Sequence, residues 1–155
     1  AMQVVKEEMT FKKEQSAGYL ANHMARLFAR GLDARIRPLG LSTGIFPALL
    51  ELWENDGLTQ KELVTRLDIE QATMANTLNR MERDGFVTRR KDATDGRVQR
   101  VWLTNKARKL EGPAISAAKA QNAVVLSTLS PAEQADFLKL MGKAVAAMRA
   151  VEKKP

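Results

Sequence analysis

Between residues 71 and 100 the chain sets out two groups of side chains suited to gripping a polyanion. Gln71, Thr73, Asn76, Thr77 and Arg80 can hydrogen-bond base edges or phosphates. Arg89, Arg90, Arg97 and Arg100 follow in a short basic stretch, with Asp95 two residues ahead of Arg97. Residues 80–109 hold ten Lys or Arg against four Asp or Glu, so most of the formal net charge of +7 lies in this segment. Charge concentrated in this way points to a polyanion, double-stranded DNA above all, although a solvated basic face would show the same excess. Catalysis has little to work with: there is one histidine, no cysteine and no glycine-rich phosphate loop. No enzyme activity, cofactor or metal site is expected.

The elements that must position these residues read clearly from the pattern. Thr59 and Glu62 form a capping box that starts a short helix with Leu63, Val64 and Leu67 on its core face. Asp68 falls at a turn suited to a left-handed backbone. A second helix is predicted over about 70–84, with Met74, Leu78 and Met81 facing inward and the five polar residues on the opposite face. Gly85 closes it. A hairpin then pairs 86–91 with 98–103, where Val101 and Leu103 alternate with Arg100 and Trp102, around a polar loop at 92–96. Two short helices joined by a tight turn and followed by a basic hairpin are the layout of a winged helix-turn-helix.

Flanking helices are expected on both sides. Residues 14–37 carry Leu20, Met24, Leu27, Phe28, Leu32 and Ile36 at helical spacing, ending at Pro38 and Gly40. Ser42 is placed to cap a helix over 41–55, with Phe46, Leu49, Leu50 and Trp53 as its buried stripe and a bend at Pro47. Thr104 can cap a long helix that Gly112-Pro113 should kink or interrupt. Ser130-Pro131-Ala132-Glu133 starts a last helix bearing Phe137, Met141, Ala144 and Met148. The first dozen residues and 152–155 look frayed. The fold class is therefore mainly α with a small β-hairpin wing. A single domain over 1–155 is expected, with a DNA-binding lobe at 41–104 and dimerisation helices at 14–38 and 105–151. No run is long and apolar enough to span a bilayer and no signal peptide opens the chain, so a cytoplasmic protein is expected.

At the hairpin the residues resemble the MarR (multiple antibiotic resistance regulator) family of winged-helix transcription factors. Asp95-Gly96-Arg97, followed at a fixed distance by Leu103-Thr104, is similar to that family's D-x-R-x₅-L-T wing pattern. The stretch L-T-Q-K-E-L at 58–63, with Thr73, Arg80, Glu82, Gly85 and Val87, sits in register with its helix-turn-helix. The resemblance implies that Arg97 reaches from the wing toward the minor groove while Asp95 orients it. A guanidinium is favoured in the negative potential of a narrow groove. Asn76 stands where many members place Arg, Glu70 where a capping Ser is common, and Ala107 where Gly is frequent.

A homodimer follows from both the resemblance and the physics, because two modules one DNA turn apart read a palindrome that one module cannot. The family often binds a small aromatic acid between its dimer helices and its DNA-binding lobe. Tyr19, His23 and Arg26, at i, i+4 and i+7, with Trp53 are the corresponding candidates, and the plainer reading leaves His23 and Arg26 solvated and Trp53 in the core. The expectation is a sequence-specific regulator, a repressor released by a small aromatic or anionic ligand. The alternative is an architectural DNA binder with neither operator nor effector. A winged helix used for protein contacts is disfavoured by the basic segment.

Overall fold

A computed structural model describes residues 10–153. Of the ends expected to fray, 1–9 and 154–155 lie outside the described residues, residues 10–12 form no helix or strand ahead of a 3-10 turn at Lys13–Gln15, and Glu152 is still helical. The described chain contains six α-helices: α1 (Ala17–Ile36), α2 (Phe46–Glu54), α3 (Gln60–Leu67), α4 (Gln71–Arg83), α5 (Asn105–Leu126) and α6 (Pro131–Glu152). Three strands, β1 (Leu58–Thr59), β2 (Val87–Lys91) and β3 (Gln99–Leu103), form an antiparallel sheet in the order β1-β3-β2. No helix among the described residues is long and apolar enough to cross a membrane. The chain divides into two compact units, 1–117 and 118–155.

In the first unit, α1 starts where the Ser16 hydroxyl accepts the Tyr19 N–H at 3.2 Å. Only Ile36 of this helix is buried, and Leu20 and Leu27 lie open to solvent. α2 departs from expectation. Residues 43–45 form a turn and Ile45, not Ser42, takes the N-cap position, so Pro47 falls in the first helical turn. There its missing N–H has no acceptor to lose, and the bend expected at Pro47 has no cause. The later start also changes the buried face, which is Phe46, Ala48, Leu49 and Leu52, while Leu50 is exposed and Trp53 half-buried.

The capping box of α3 is complete, with Glu62 N–H donating to Thr59 Oγ1 and Thr59 N–H donating to Glu62 Oε1, both at 3.1 Å. Asp68 takes the left-handed conformation at φ 54°. α4 turns Met74, Leu78 and Met81 into a core that also holds Ile36, Leu49, Leu52, Leu63, Val87 and Val101. β3 is the middle strand: Val87 faces Leu103 and Arg90 faces Arg100 on one side, and Leu58 faces Val101 on the other. The two-residue strand β1 was not anticipated from the sequence. Gly57, immediately before it, adopts φ +82°, and a Cβ there would sit 2.6 Å from the Trp102 ring.

Thr104 joins sheet to helix: its hydroxyl donates to the Gly85 carbonyl at 2.6 Å and accepts the Ala107 N–H at 3.3 Å. α5 runs through Pro113 without the expected interruption. Proline removes one backbone bond there, and the freed Lys109 carbonyl belongs to an exposed stretch that water can reach. In the second unit, α6 opens on a capping box in which Glu133 N–H donates to Ser130 Oγ at 3.2 Å and Ser130 N–H donates to Glu133 Oε1 at 2.9 Å. Gln134 Nε2 donates to the Leu126 and Leu129 carbonyls, closing the preceding turn. No residue of α6 is buried, and Leu138, Leu140, Met141, Val145, Met148 and Val151 stand exposed.

The corner at Gly57 combines a left-handed backbone with ring contact, so Gly57→Ala should destabilise the protein by about 1–3 kcal/mol. The shift is read from the midpoint of a urea unfolding curve. An unchanged midpoint would mean that the corner and the Trp102 ring move apart at no cost.

Candidate nucleic-acid interface

α4 begins after Asp68, with Glu70 at its N-cap making no side-chain cap bond. Its first two turns leave Gln71, Thr73 and Asn76 exposed, and Arg80 is exposed one turn further. Thr77 is a correction to the expected polar face. It is buried, and its hydroxyl donates to the Thr73 carbonyl at 2.9 Å within its own helix. Both its spacing from Thr73 and its place at the edge of the inward stripe of Met74 and Met81 could be read from the sequence. Arg80 Nη2 approaches Thr77 Oγ1 at 3.5 Å and lies 3.8 Å from where a Cβ on Gly44 would stand.

The wing's arginines have different fates. Arg89 folds back onto the end of α4: Nη2 donates to Asn79 Oδ1 at 2.7 Å and to Glu82 Oε1 at 3.0 Å, while its backbone N–H donates to Glu82 Oε2 at 3.1 Å. These bonds hold the Glu82 carboxyl below its ordinary pKa. Arg90 lies over the Trp102 ring, 5.0 Å from its centre. Arg100 turns inward, with Nε donating to Asp92 Oδ1 at 2.6 Å and Nη1 to the Gly57 carbonyl at 2.9 Å. Arg89 and Arg100, expected at the DNA, are thus engaged within the fold, because each meets a carboxylate its neighbouring element brings across. Among the described residues no carboxylate stands within ion-pair distance of Arg80, Arg90 or Lys91.

At the tip, Arg97 is 91% exposed and clamped by Asp95: Nε donates to Oδ1 at 3.1 Å and Nη2 to Oδ2 at 3.2 Å. The Arg97 backbone N–H also donates to Asp95 Oδ1 at 3.1 Å. The clamp lowers the Asp95 pKa. It also selects one direction for a long side chain in a loop otherwise free of packing.

The expected effector residues are less convergent. Tyr19 and His23 meet edge-to-face at 6.1 Å on the exposed side of α1, and Arg26 is exposed one turn on. Trp53 instead packs edge-on against Phe46 and donates its indole N–H to the Ala107 carbonyl at 3.0 Å. Its role is to hold α2 against the start of α5. Asp56 reads in the sequence only as part of the helix stop, yet its Oδ1 accepts the Leu103 N–H at 2.8 Å and its Oδ2 pairs with Arg108 at 2.9 Å. Its place in Asn55-Asp56-Gly57 signalled a turn, but nothing local signalled partners about fifty residues away.

Comparison with known proteins gives a consistent result. Residues 41–99 match the model of the MarR family. An HTH-type transcriptional repressor of Mycobacterium tuberculosis is 29% identical over 126 residues, covering 81% of this chain and 91% of that protein. The HTH-type transcriptional regulator TtmR of Methylorubrum extorquens is 35% identical over 88 residues, but the match spans only 45% of its length. Among solved structures, a MarR transcriptional regulator from Methanosarcina mazei superposes with a TM-score of 0.77 at 27% identity, covering 84% of this chain and 96% of that one. Two more share the fold at 21% identity. One is a putative MarR family regulator of Listeria monocytogenes complexed with a 26mer DNA (TM-score 0.81; 88% and 91% covered). The other is the PcaV regulator of Streptomyces coelicolor in complex with its natural ligand (TM-score 0.77; 90% and 98% covered).

The Glu82–Arg89 staple gives a pH prediction. A carboxyl whose folded pKa is lowered stabilises the fold fully above its unfolded value, here 4.5, and loses that contribution as pH falls through the folded value. Melting temperature should therefore fall on acidification below about pH 4.5, and Glu82→Gln should lower it at neutral pH while flattening its acid dependence. Thermal unfolding followed by circular dichroism checks this. A variant curve parallel to wild type would remove Glu82 from the acid response.

Proposed function

We propose that this chain, whose residues 41–99 match the MarR family, is a winged helix-turn-helix transcriptional regulator of that family and not an enzyme, and that it acts as a homodimer on a palindromic operator, as a repressor, in the cytoplasm. Residues 41–104 form the DNA-binding lobe of this reading, and residues 14–38 and 105–151 the dimerisation helices. Gln71, Thr73, Asn76 and Arg80 face the major groove, Arg90 reaches the phosphates, and Arg97 enters the minor groove beside it. The observation that carries the reading is Arg97: a guanidinium almost wholly exposed at the end of a hairpin and held in one orientation by Asp95. A side chain that costs entropy to fix and packs against nothing is best explained by a target outside the chain.

The apolar surface supports the dimer. α6 buries none of its residues and exposes Leu, Met and Val side chains, and α1 for its part exposes Leu20 and Leu27; each is surface that a second copy would cover. Release by a small aromatic or anionic ligand is supported by Tyr19, His23 and Arg26, two rings and a cation on one helix face, and by the ligand complex of the PcaV regulator.

The deciding experiment selects bound fragments from sheared genomic DNA at two salt concentrations. One short palindrome that persists at the higher salt is expected. Broad recovery that disappears with salt would replace the operator with architectural binding. Arg97→Ala should weaken binding to the selected site by about 1–3 kcal/mol in an anisotropy titration. Leu138→Asp with Met148→Asp should halve the mass measured by light scattering, and an unaltered mass would take α6 out of the interface.

A further inference from the structure

We infer that Asp92 and Arg100 are positioning residues for Arg97, acting as a clasp that ties the tip of the wing to the corner from which the helix-turn-helix starts. The inference rests on the reading of Arg97 as a DNA contact and extends it to residues that do not touch DNA. Asp92 Oδ2 gathers three donors: the Thr94 N–H at 3.1 Å, the Thr94 hydroxyl at 2.7 Å and the Asp95 N–H at 3.0 Å. One carboxylate oxygen thereby folds the loop. The backbone closes around it, with Asp92 N–H donating to the Val98 carbonyl at 2.8 Å and Val98 N–H donating to the Asp95 carbonyl at 3.0 Å.

The other oxygen, Oδ1, takes Arg100 Nε at 2.6 Å, and the same guanidinium reaches the Gly57 carbonyl at 2.9 Å and stands 3.9 Å from Glu62 Oε1. Glu62 belongs to the capping box that starts α3. A continuous path therefore runs from the start of α3 through Arg100 and Asp92 to Asp95, which clamps Arg97. The Asp92 side chain is only 16% exposed, so the central link is shielded from competing solvent. A phosphate competing for Arg100 Nε would have to displace Asp92 Oδ1, which breaks the clasp but leaves the loop's own bonds to Oδ2 in place.

The test is a double-mutant cycle on the full chain with the selected operator, titrated by anisotropy across a range of salt, using Arg97→Ala, Asp92→Asn, Arg100→Gln and each of the last two combined with Arg97→Ala. Arg97→Ala should weaken binding on the order of tenfold. Asp92→Asn and Arg100→Gln should each weaken it on the order of fivefold, with the salt dependence unchanged. Both effects should vanish in the Arg97→Ala background. Arg100→Gln probes the clasp without touching the loop's own acceptor, so it carries the test if Asp92→Asn folds poorly. Losses that add to that of Arg97→Ala, or a salt slope reduced by about one for Arg100→Gln, would make Arg100 a direct phosphate contact and overturn the clasp. Wild-type affinity in Arg97→Ala would instead overturn the wing reading itself.

Discussion

Asp56 and Gly57 form the corner on which the rest of the DNA-facing lobe depends. Asp56 Oδ1 accepts from the N–H groups of Gly57 and Leu103, and Oδ2 pairs with Arg108. Gly57 donates to the Val101 carbonyl, accepts from Arg100 and leaves room for the Trp102 ring. The end of α2, the middle strand β3 and the first turn of α5 all meet there. Two residues later the chain enters the capping box of α3. A side chain on Gly57 or an apolar residue at 56 would leave buried polar groups unpaired, and the hairpin would lose its angle to the helices.

The recognition helix is set by a second constraint. Its inner face, Met74, Thr77, Leu78 and Met81, is locked into the core, which leaves little freedom for rotation about the helix axis. Its C-terminal end is stapled to β2 through Glu82 and Arg89. Helix and wing therefore behave as one surface rather than as two independently moving parts. The arrangement explains why arginines that looked suited to DNA are engaged inside the lobe.

Much of this was legible in the sequence because it is encoded locally. Both capping boxes, the left-handed Asp68, the alternation along 100–103 and the inward Met74, Leu78 and Met81 depend on neighbours within a few residues. What could not be read shares one cause: Arg89, Arg100 and Trp53 carry side chains whose direction is decided by partners on other elements, such as Glu82 for Arg89, Gly57 for Arg100 and Ala107 for Trp53. The two-residue strand β1 has no periodicity to detect, since it exists only by pairing with β3. The start of α2 was misplaced because Ser42 offers a cap, whereas Pro47 is accommodated best in the first turn. Position along the chain could be read for most of the candidate site, and side-chain direction could not.

The pairing of Asp95 with Arg97 has a consequence for how the protein meets its target. A guanidinium joined to a carboxylate presents the field of a dipole, which fades with distance much faster than that of a free charge. Ionic screening over about 8 Å shortens its reach further. If the tip meets DNA as proposed, it would therefore attract little from afar and act only once a groove is already at hand. On the proposed reading, long-range capture would fall to cations such as Arg90 and Lys91, which have no carboxylate within ion-pair distance among the described residues. Search and inspection would on that reading be divided between different side chains, with the tip discriminating without slowing passage along the wrong sequence.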